Sequence, residues 1–93
     1  MAVESEKTLE RKLNALVDQK GGLSVKLLSK YINGLPDRMA LLPGGVVFFV
    51  ELKSTGQKPR RIQQYIMNKI RDLGFKVYVI DNSNDIKKIT ELC

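Results

Sequence analysis

Two carboxylates and a lysine flank a turn signal in this sequence. Pro36-Asp37 lies on one side, Glu51-Leu52-Lys53 on the other, and Pro43-Gly44-Gly45 sits between them. Residues two apart on a strand share a face, so Glu51 and Lys53 point the same way. If a three-residue loop pairs Leu42 with Val46, Asp37 falls opposite Glu51 with Cβ atoms about 5 Å apart. Any odd-length loop centred on Gly44 gives that pairing, and an even-length loop breaks it. Two carboxylates this close repel each other unless a cation joins them. A hard divalent ion such as Mg²⁺ does so, bound by one or two carboxylates plus waters. A lysine beside it can hydrogen-bond an attacking water or stabilise developing phosphate charge. The competing reading is a cross-strand salt bridge on a solvated strand end, the commoner fate of an Asp/Glu/Lys set. Position argues against it: Glu51 directly follows the apolar run Val46–Val50, which has no reason to end in charge on an inward face.

Two further side chains stand on helix margins. In the stretch after Pro59, Ile62, Ile66, Ile70 and Leu73 repeat at helical spacing. At about 100° per residue, Gln63 lies roughly 65° from the centre of that stripe, while Gln64 falls on the opposite side with Arg60 and Arg71. A glutamine at such a border can orient a water or a phosphate, or be an ordinary boundary residue. Glu10 sits at the edge of the Leu9/Leu13/Val17 stripe and can project toward a sheet, with Glu6 nearer the stripe's centre as a competitor. Either can instead simply favour the positive end of a helix dipole.

The elements that must position these residues follow from periodicity. Leu9, Leu13, Leu16 and Val17 mark one face of an amphipathic helix, with Ser5 as N-cap and Gly21-Gly22 as stop. Leu23–Leu28 reads as a strand, and Asn33-Gly34 as a turn. Asp37–Leu42 and Val46–Lys53 form a β-hairpin. Pro59 suits the first turn of a second helix, which Gly74 closes. Phe75–Ile80 is dense in β-branched and aromatic residues and reads as an interior strand. Asn82, Ser83 or Asn84 caps a last helix carrying Ile86, Ile89 and Leu92. The order α-β-β-β-α-β-α, with a right-handed crossover making the strands at Val46 and Ile80 parallel, predicts an α/β fold: a mixed sheet flanked by helices.

The 93 residues leave room for one domain, 1–93, with a modest core. The chain has no His, which removes His-metal and Ser-His or Cys-His chemistry, and a single Cys, Cys93, which excludes an internal disulfide and a Cys-rich zinc site. Sixteen Lys+Arg against ten Asp+Glu give +6, which favours a polyanionic partner, nucleic acid first. Lys26, Lys30, Arg38, Lys58, Arg60 and Arg61 are candidate phosphate contacts. No apolar run is long enough to span a bilayer, and the charged N-terminal stretch is not a signal peptide, so a cytoplasmic protein with no membrane partner is expected.

In order, these residues resemble a known family. NGLPDRMALLPGGVVFFVELK, followed by RRIQQYIMNKIRDLGFKVYVI, is similar to the virus-type replication-repair nuclease (VRR-NUC) domain in its short stand-alone, phage-like form. That family belongs to the PD-(D/E)XK nuclease superfamily. The offset of Glu10 to Gly21 resembles the family's Glu…Gly-Gly spacing, and the Gln63–Gly74 offset selects Gln63 over Gln64. One departure is Leu27 after Lys26, where many relatives carry an aromatic. The resemblance implies a restriction-endonuclease-like core and a Mg²⁺- or Mn²⁺-dependent DNA endonuclease. Asp37, Glu51 and the Leu52 carbonyl would be metal ligands, with Glu10 in the outer shell or on a second metal. Lys53 would position the water, and Gln63 would fix Lys53, water or phosphate. Similarity of the stand-alone members to Holliday-junction resolvases implies a homodimer acting on branched DNA, phage-encoded and working in a host cell. Two other readings stand beside it: a non-catalytic basic nucleic-acid-binding module, and an interaction protein whose apolar strands are mere core.

Overall fold

A computed structural model describes residues 3–91. The first helix, α1 (Glu6–Gln19), begins where the Ser5 hydroxyl accepts the Thr8 N–H, satisfying one of the unpaired amides of the first turn. It ends at Gly21, whose φ of +78° suits glycine. The chain continues through β1 (Leu23–Lys26), β2 (Arg38–Leu42), β3 (Val46–Leu52), α2 (Arg61–Asp72), β4 (Lys76–Ile80) and α3 (Ser83–Glu91). The order α-β-β-β-α-β-α is the one expected, with several strands a residue or two shorter at their ends.

The four strands form one mixed sheet in the order β1-β2-β3-β4; the first three are mutually antiparallel and β3 runs parallel to β4. In the hairpin, Leu42 pairs with Val46 and Arg38 with Val50. Gly44 and Gly45 both take positive φ across the turn, which a side chain would resist. That is the register anticipated from the loop length. The ladder stops at Arg38, one pair short of Asp37 and Glu51.

Alternation along β3 sends Phe48, Val50 and Leu52 to one face, where they meet Leu9, Leu13 and Val17 of α1 and Ile86 and Ile89 of α3 in the core. The other face carries Val47, Phe49 and Glu51, and among the described helices α2 is the one that packs on this side, against β4. Asn82 caps α3, its side-chain oxygen accepting the Asp85 N–H at 2.9 Å. Leu92 and Cys93, named above, lie outside the described residues. Among those described, no helix is long and apolar enough to cross a membrane.

Three expectations are corrected. Phe75–Ile80 is not an interior strand: β4 is at the sheet edge. Its apolar density serves two helical layers instead, with Ile80 in the α1/α3 core and Val77, on the opposite face, buried where α2 packs on β4. Pro59 lies outside the first turn of α2, because Arg60 is the N-cap. The Ile62/Ile66/Ile70/Leu73 stripe does not face inward as a unit. Ile62 is 40% and Leu73 76% exposed, while the buried residues of α2 are Gln63 and Met67. The helix is rotated so that a glutamine points at the sheet.

Candidate active site

Asp37 is positioned by its neighbours before and after it. Gly34 lies so close to α2 that a Cβ there would sit 2.7 Å from the Ile62 carbonyl oxygen, and its φ is +88°. Only glycine lets the β1–β2 connection touch the first turn of α2 in this way. Pro36 is buried and offers no N–H. The Leu52 N–H, two residues beyond Val50 at the end of the β2–β3 ladder, is instead taken by the Asp37 carboxylate: Oδ2 accepts it at 2.8 Å. Asp37 is thereby pinned against the end of β3.

Glu51 is 1% exposed, on the α2 face of the sheet. Both of its donors converge on one oxygen. Lys53 Nζ lies 3.1 Å and Gln63 Nε2 2.9 Å from Glu51 Oε2. Oε1 is buried and has no hydrogen-bond partner among the described residues. Burial first, then the negative charge of Asp37, pushes the Glu51 carboxyl above the usual carboxylate range, with Lys53 pulling the other way. Lys53 shares the face of Glu51 as alternation requires, and its side chain is 14% exposed.

Gln63 is held at both ends of its amide. Its Oε1 accepts the Arg60 N–H at 2.8 Å, a capping contact at the start of α2, and this turns Nε2 toward Glu51. The structure therefore sets Gln63 on Glu51 and not on Lys53. Gln64 is exposed and donates to the Pro59 carbonyl.

Glu10 projects from α1 toward the sheet but is engaged by Arg38, whose Nε lies 3.3 Å from Oε2. That contact draws the Arg38 side chain inward, to 13% exposure. Glu6, Lys7, Glu10, Lys26, Asp37 and Leu52 line a concavity of about 250 Å³. Both candidate α1 glutamates thus face Asp37, and Glu6 also adds to the negative potential at Glu51. Lys7 was not singled out from sequence; its signal was its place between two glutamates on the helix face turned to the sheet. Lys26, Lys30, Arg60 and Arg61 are exposed. Lys58 is exposed too, but it lines a separate groove of about 470 Å³, with Gln64, Arg71 and Asp81, that contains none of the carboxylate site.

The residues present fit a hard divalent cation. A buried carboxylate oxygen without a partner lies next to a second carboxylate whose charge it feels, and every donor is oxygen. Among the described residues there is no group of three His, Cys, Asp or Glu placed to hold a metal ion. Mg²⁺ is commonly held by one or two carboxylates with water completing the shell, which is the set Asp37 and Glu51 offer.

Comparison with known proteins points the same way. No family profile matches the chain. It is 36% identical over 89 residues to p44 of Acyrthosiphon pisum secondary endosymbiont phage 1, a protein whose name marks it as a candidate nuclease; the match covers 96% of this chain and 95% of p44. A solved VRR_NUC domain superposes on it with a TM-score of 0.88 at 28% identity, covering 95% of this chain and 97% of that one.

Proposed function

The chain belongs to the VRR-NUC nuclease family in its stand-alone, phage-like form, and from that premise we propose that it is a Mg²⁺- or Mn²⁺-dependent DNA endonuclease of the PD-(D/E)XK type, acting on branched DNA as a homodimer. The observation that carries the metal dependence is the partnerless, buried Oε1 of Glu51 beside Asp37. Asp37, Glu51 and the Leu52 carbonyl would hold the ion, which when bound supplies Lewis-acid stabilisation of phosphate charge and an acidified water.

The chain's own residues do the positioning. Gln63 and Lys53 fix the Glu51 carboxylate through a single oxygen and leave the other open. Lys53, 3.1 Å from Glu51, keeps an ammonium beside the carboxylates, where it holds a water by hydrogen bonding and offsets charge on a phosphate oxygen. The Leu52 N–H holds Asp37 in place. Glu10 acts one step out: it pairs with Arg38 and adds negative potential to the concavity. Lys26, Lys58, Arg60 and Arg61 meet the DNA backbone, whose attraction to a +6 chain does not depend on sequence. A pure nucleic-acid binder gains nothing from two carboxylates turned toward phosphates, which disfavours the non-catalytic reading. A nuclease of this kind meets its DNA inside the cell, which places it in the cytoplasm.

The homodimer is supported by apolar surface that the monomer leaves uncovered. Ile62, Tyr65 and Leu73 on α2 and Phe75 before β4 are 40%, 56%, 76% and 45% exposed. Beside them, Met39, Leu41, Val47 and Phe49 on the α2 face of the sheet are only half-buried. Sedimentation should give a dimer, and Leu73→Lys a monomer; a monomeric wild type would refute this part.

The direct test of the activity is incubation with branched, flap and linear DNA plus Mn²⁺, beside Asp37→Ala. The proposal expects cleavage by the wild type, branched substrates preferred, and none by the variant. Equal cleavage by both proteins would remove Asp37 from the mechanism.

A further inference from the structure

The connection between β1 and β2 carries an aromatic side chain that the fold does not use. Among the described residues, Tyr31 and Leu28 are the most exposed of the large apolar side chains, at 97% and 83%, and Ile32 beside them is 48% exposed. The segment is nevertheless held. The Ser29 hydroxyl accepts the N–H groups of both Tyr31 and Ile32, at 3.1 and 3.0 Å. Leu27 N–H donates to the Asp37 carbonyl. Gly34 rests against the backbone of Ile62 and Gln63. Tyr31 is thus displayed on an arm tied to the start of α2 and to Asp37. Its flanks are cationic: Lys30 and Lys26 are exposed, and Lys26 lines the concavity that contains Asp37.

Exposed apolar surface at a fixed position marks a contact site. Lysines at its edges select a polyanion, and an aromatic ring with both faces free offers a stacking platform for a nucleobase. A base inside a duplex is already stacked on both sides and has no face to give. An unpaired base at a branch point or flap has one.

Resting on the nuclease reading above, we propose that Tyr31, backed by Leu28 and flanked by Lys26 and Lys30, stacks on an unpaired base of the DNA substrate and so selects branched or flapped DNA over plain duplex. Tyr31 is a specificity residue and takes no part in the chemistry.

The test is binding in EDTA, where no divalent-ion chemistry runs. The probes are a flap DNA with 2-aminopurine at its first unpaired position and a linear duplex with 2-aminopurine at a paired one. Wild type should quench the flap probe, and Tyr31→Phe should preserve the quenching. Tyr31→Ala and Tyr31→Leu should abolish it and weaken flap binding by about tenfold, the scale of one lost base–aromatic stack, with linear-duplex affinity unchanged. Since Tyr31 touches no core residue, circular dichroism of the variants should match wild type. Equal losses on flap and linear DNA, no loss on either, or rescue by Leu as well as by Phe would overturn the proposal. So would a wild-type dimer that becomes a monomer in Tyr31→Ala, which would assign the surface to a second copy of the chain. Mn²⁺-dependent cleavage of linear duplex and flap DNA separates the two ideas. If wild type cleaves neither linear duplex nor flap DNA, the nuclease reading fails by itself; if Tyr31→Ala cleaves and keeps the wild-type preference for flaps, only the stacking fails.

Discussion

Replacing Gln63 by glutamate changes one atom and should turn a hydrogen bond into a collision of charges. In the wild type, Gln63 Oε1 is held by the Arg60 N–H, so Nε2 is forced toward Glu51 Oε2 at 2.9 Å. In Gln63→Glu the atom facing Glu51 is an oxygen. Two full charges at that distance repel by about 6 kcal/mol at an effective dielectric constant of 20, more than a small domain can easily absorb. The native state avoids this by keeping a proton between the two carboxyls, as carboxylate dyads do. The variant carboxyl pair therefore titrates well above the unfolded value of about 4.3. Below that unfolded value the substitution costs little. Wild-type Glu51 already keeps its own proton somewhat above that value; once pH passes its raised pKa, the variant's native state still holds a proton that wild type and the unfolded chain have lost. Stability then falls by about 1.4 kcal/mol per pH unit relative to wild type until the variant pair's raised pKa is passed. Over two pH units above the wild-type Glu51 pKa the gap should widen by about 3 kcal/mol, or on the order of 10–20 °C in melting temperature for a domain of this size. Urea unfolding followed by circular dichroism at several pH values measures it. Gln63→Met, which keeps the length and loses both hydrogen bonds, should show a cost that does not vary with pH. Parallel stability–pH profiles for wild type and Gln63→Glu would refute the contact between residue 63 and Glu51.

Gly34→Ala should destabilise the fold by about 1–3 kcal/mol from its backbone conformation alone. Because the added methyl collides with the Ile62 carbonyl, it should also cut cleavage activity more than a surface alanine does; an unaffected melting temperature would sink this. Glu4 is held by hydrogen bonds from Lys12 and then from the Ser83 hydroxyl and N–H, which lower its carboxyl from 4.5 to about 2. Its contribution is fully present above pH 4.5 and is lost as pH falls toward 2, so Glu4→Gln should flatten the acid limb of the stability profile; an unchanged limb would exclude the clamp. Glu51 is shifted the opposite way, by burial and by Asp37, so a divalent ion must displace its proton at low pH. The rise in melting temperature produced by Mg²⁺ should therefore be larger at pH 7.5 than at pH 5, and absent in Glu51→Gln. An equal rise at both pH values would mean that Glu51 is not the ligand.

Much of this site was legible before the fold was known because it depends on local, rigid features. The hairpin register follows from Pro43-Gly44-Gly45 and the run Val46–Val50, and pairing Leu42 with Val46 carries Asp37 to the end of β3, where its carboxylate takes the Leu52 N–H although the ladder stops one pair short of Glu51. Alternation alone put Lys53 beside Glu51. What was not legible is the rotation of α2. Periodicity counts apolar side chains and is blind to a polar one whose hydrogen bonds are all satisfied inside. Ile62, Ile66, Ile70 and Leu73 outvote Gln63 on a helical wheel, yet two hydrogen bonds and Met67 beneath it turn Gln63 to the sheet and Leu73 to water. The pairing of Arg38 with Glu10 was hidden for a related reason. Each residue was read alone as a reaching side chain, and only the packing of α1 on β2 makes them partners.

The distribution of donors around Glu51 explains how a buried carboxylate can be both ordered and unfinished. Had Lys53 and Gln63 each taken a different oxygen, the side chain would be satisfied on both sides, and its charge would be an ordinary internal ion pair. With both on Oε2, the rotamer is fixed, one oxygen is solvated by protein, and the other is buried with no hydrogen-bond partner among the described residues. A buried polar atom in that state costs free energy, and Asp37 adds to it. The rest of the fold must therefore hold Glu51 in place against its own preference for water. The two sides of the sheet divide that work. Phe48, Val50 and Leu52 anchor β3 in the α1/α3 core, so the strand cannot shift to let Glu51 out. On the other face, Gln63 reaches inward while Ile62 and Leu73, the two ends of the apolar stripe, are turned to the surface. The exposed Ile62 and Leu73 and the strained carboxylate are thus two consequences of one rotation, and the proposed function assigns them different partners: a second copy for the exposed apolar residues, and a cation for the oxygen.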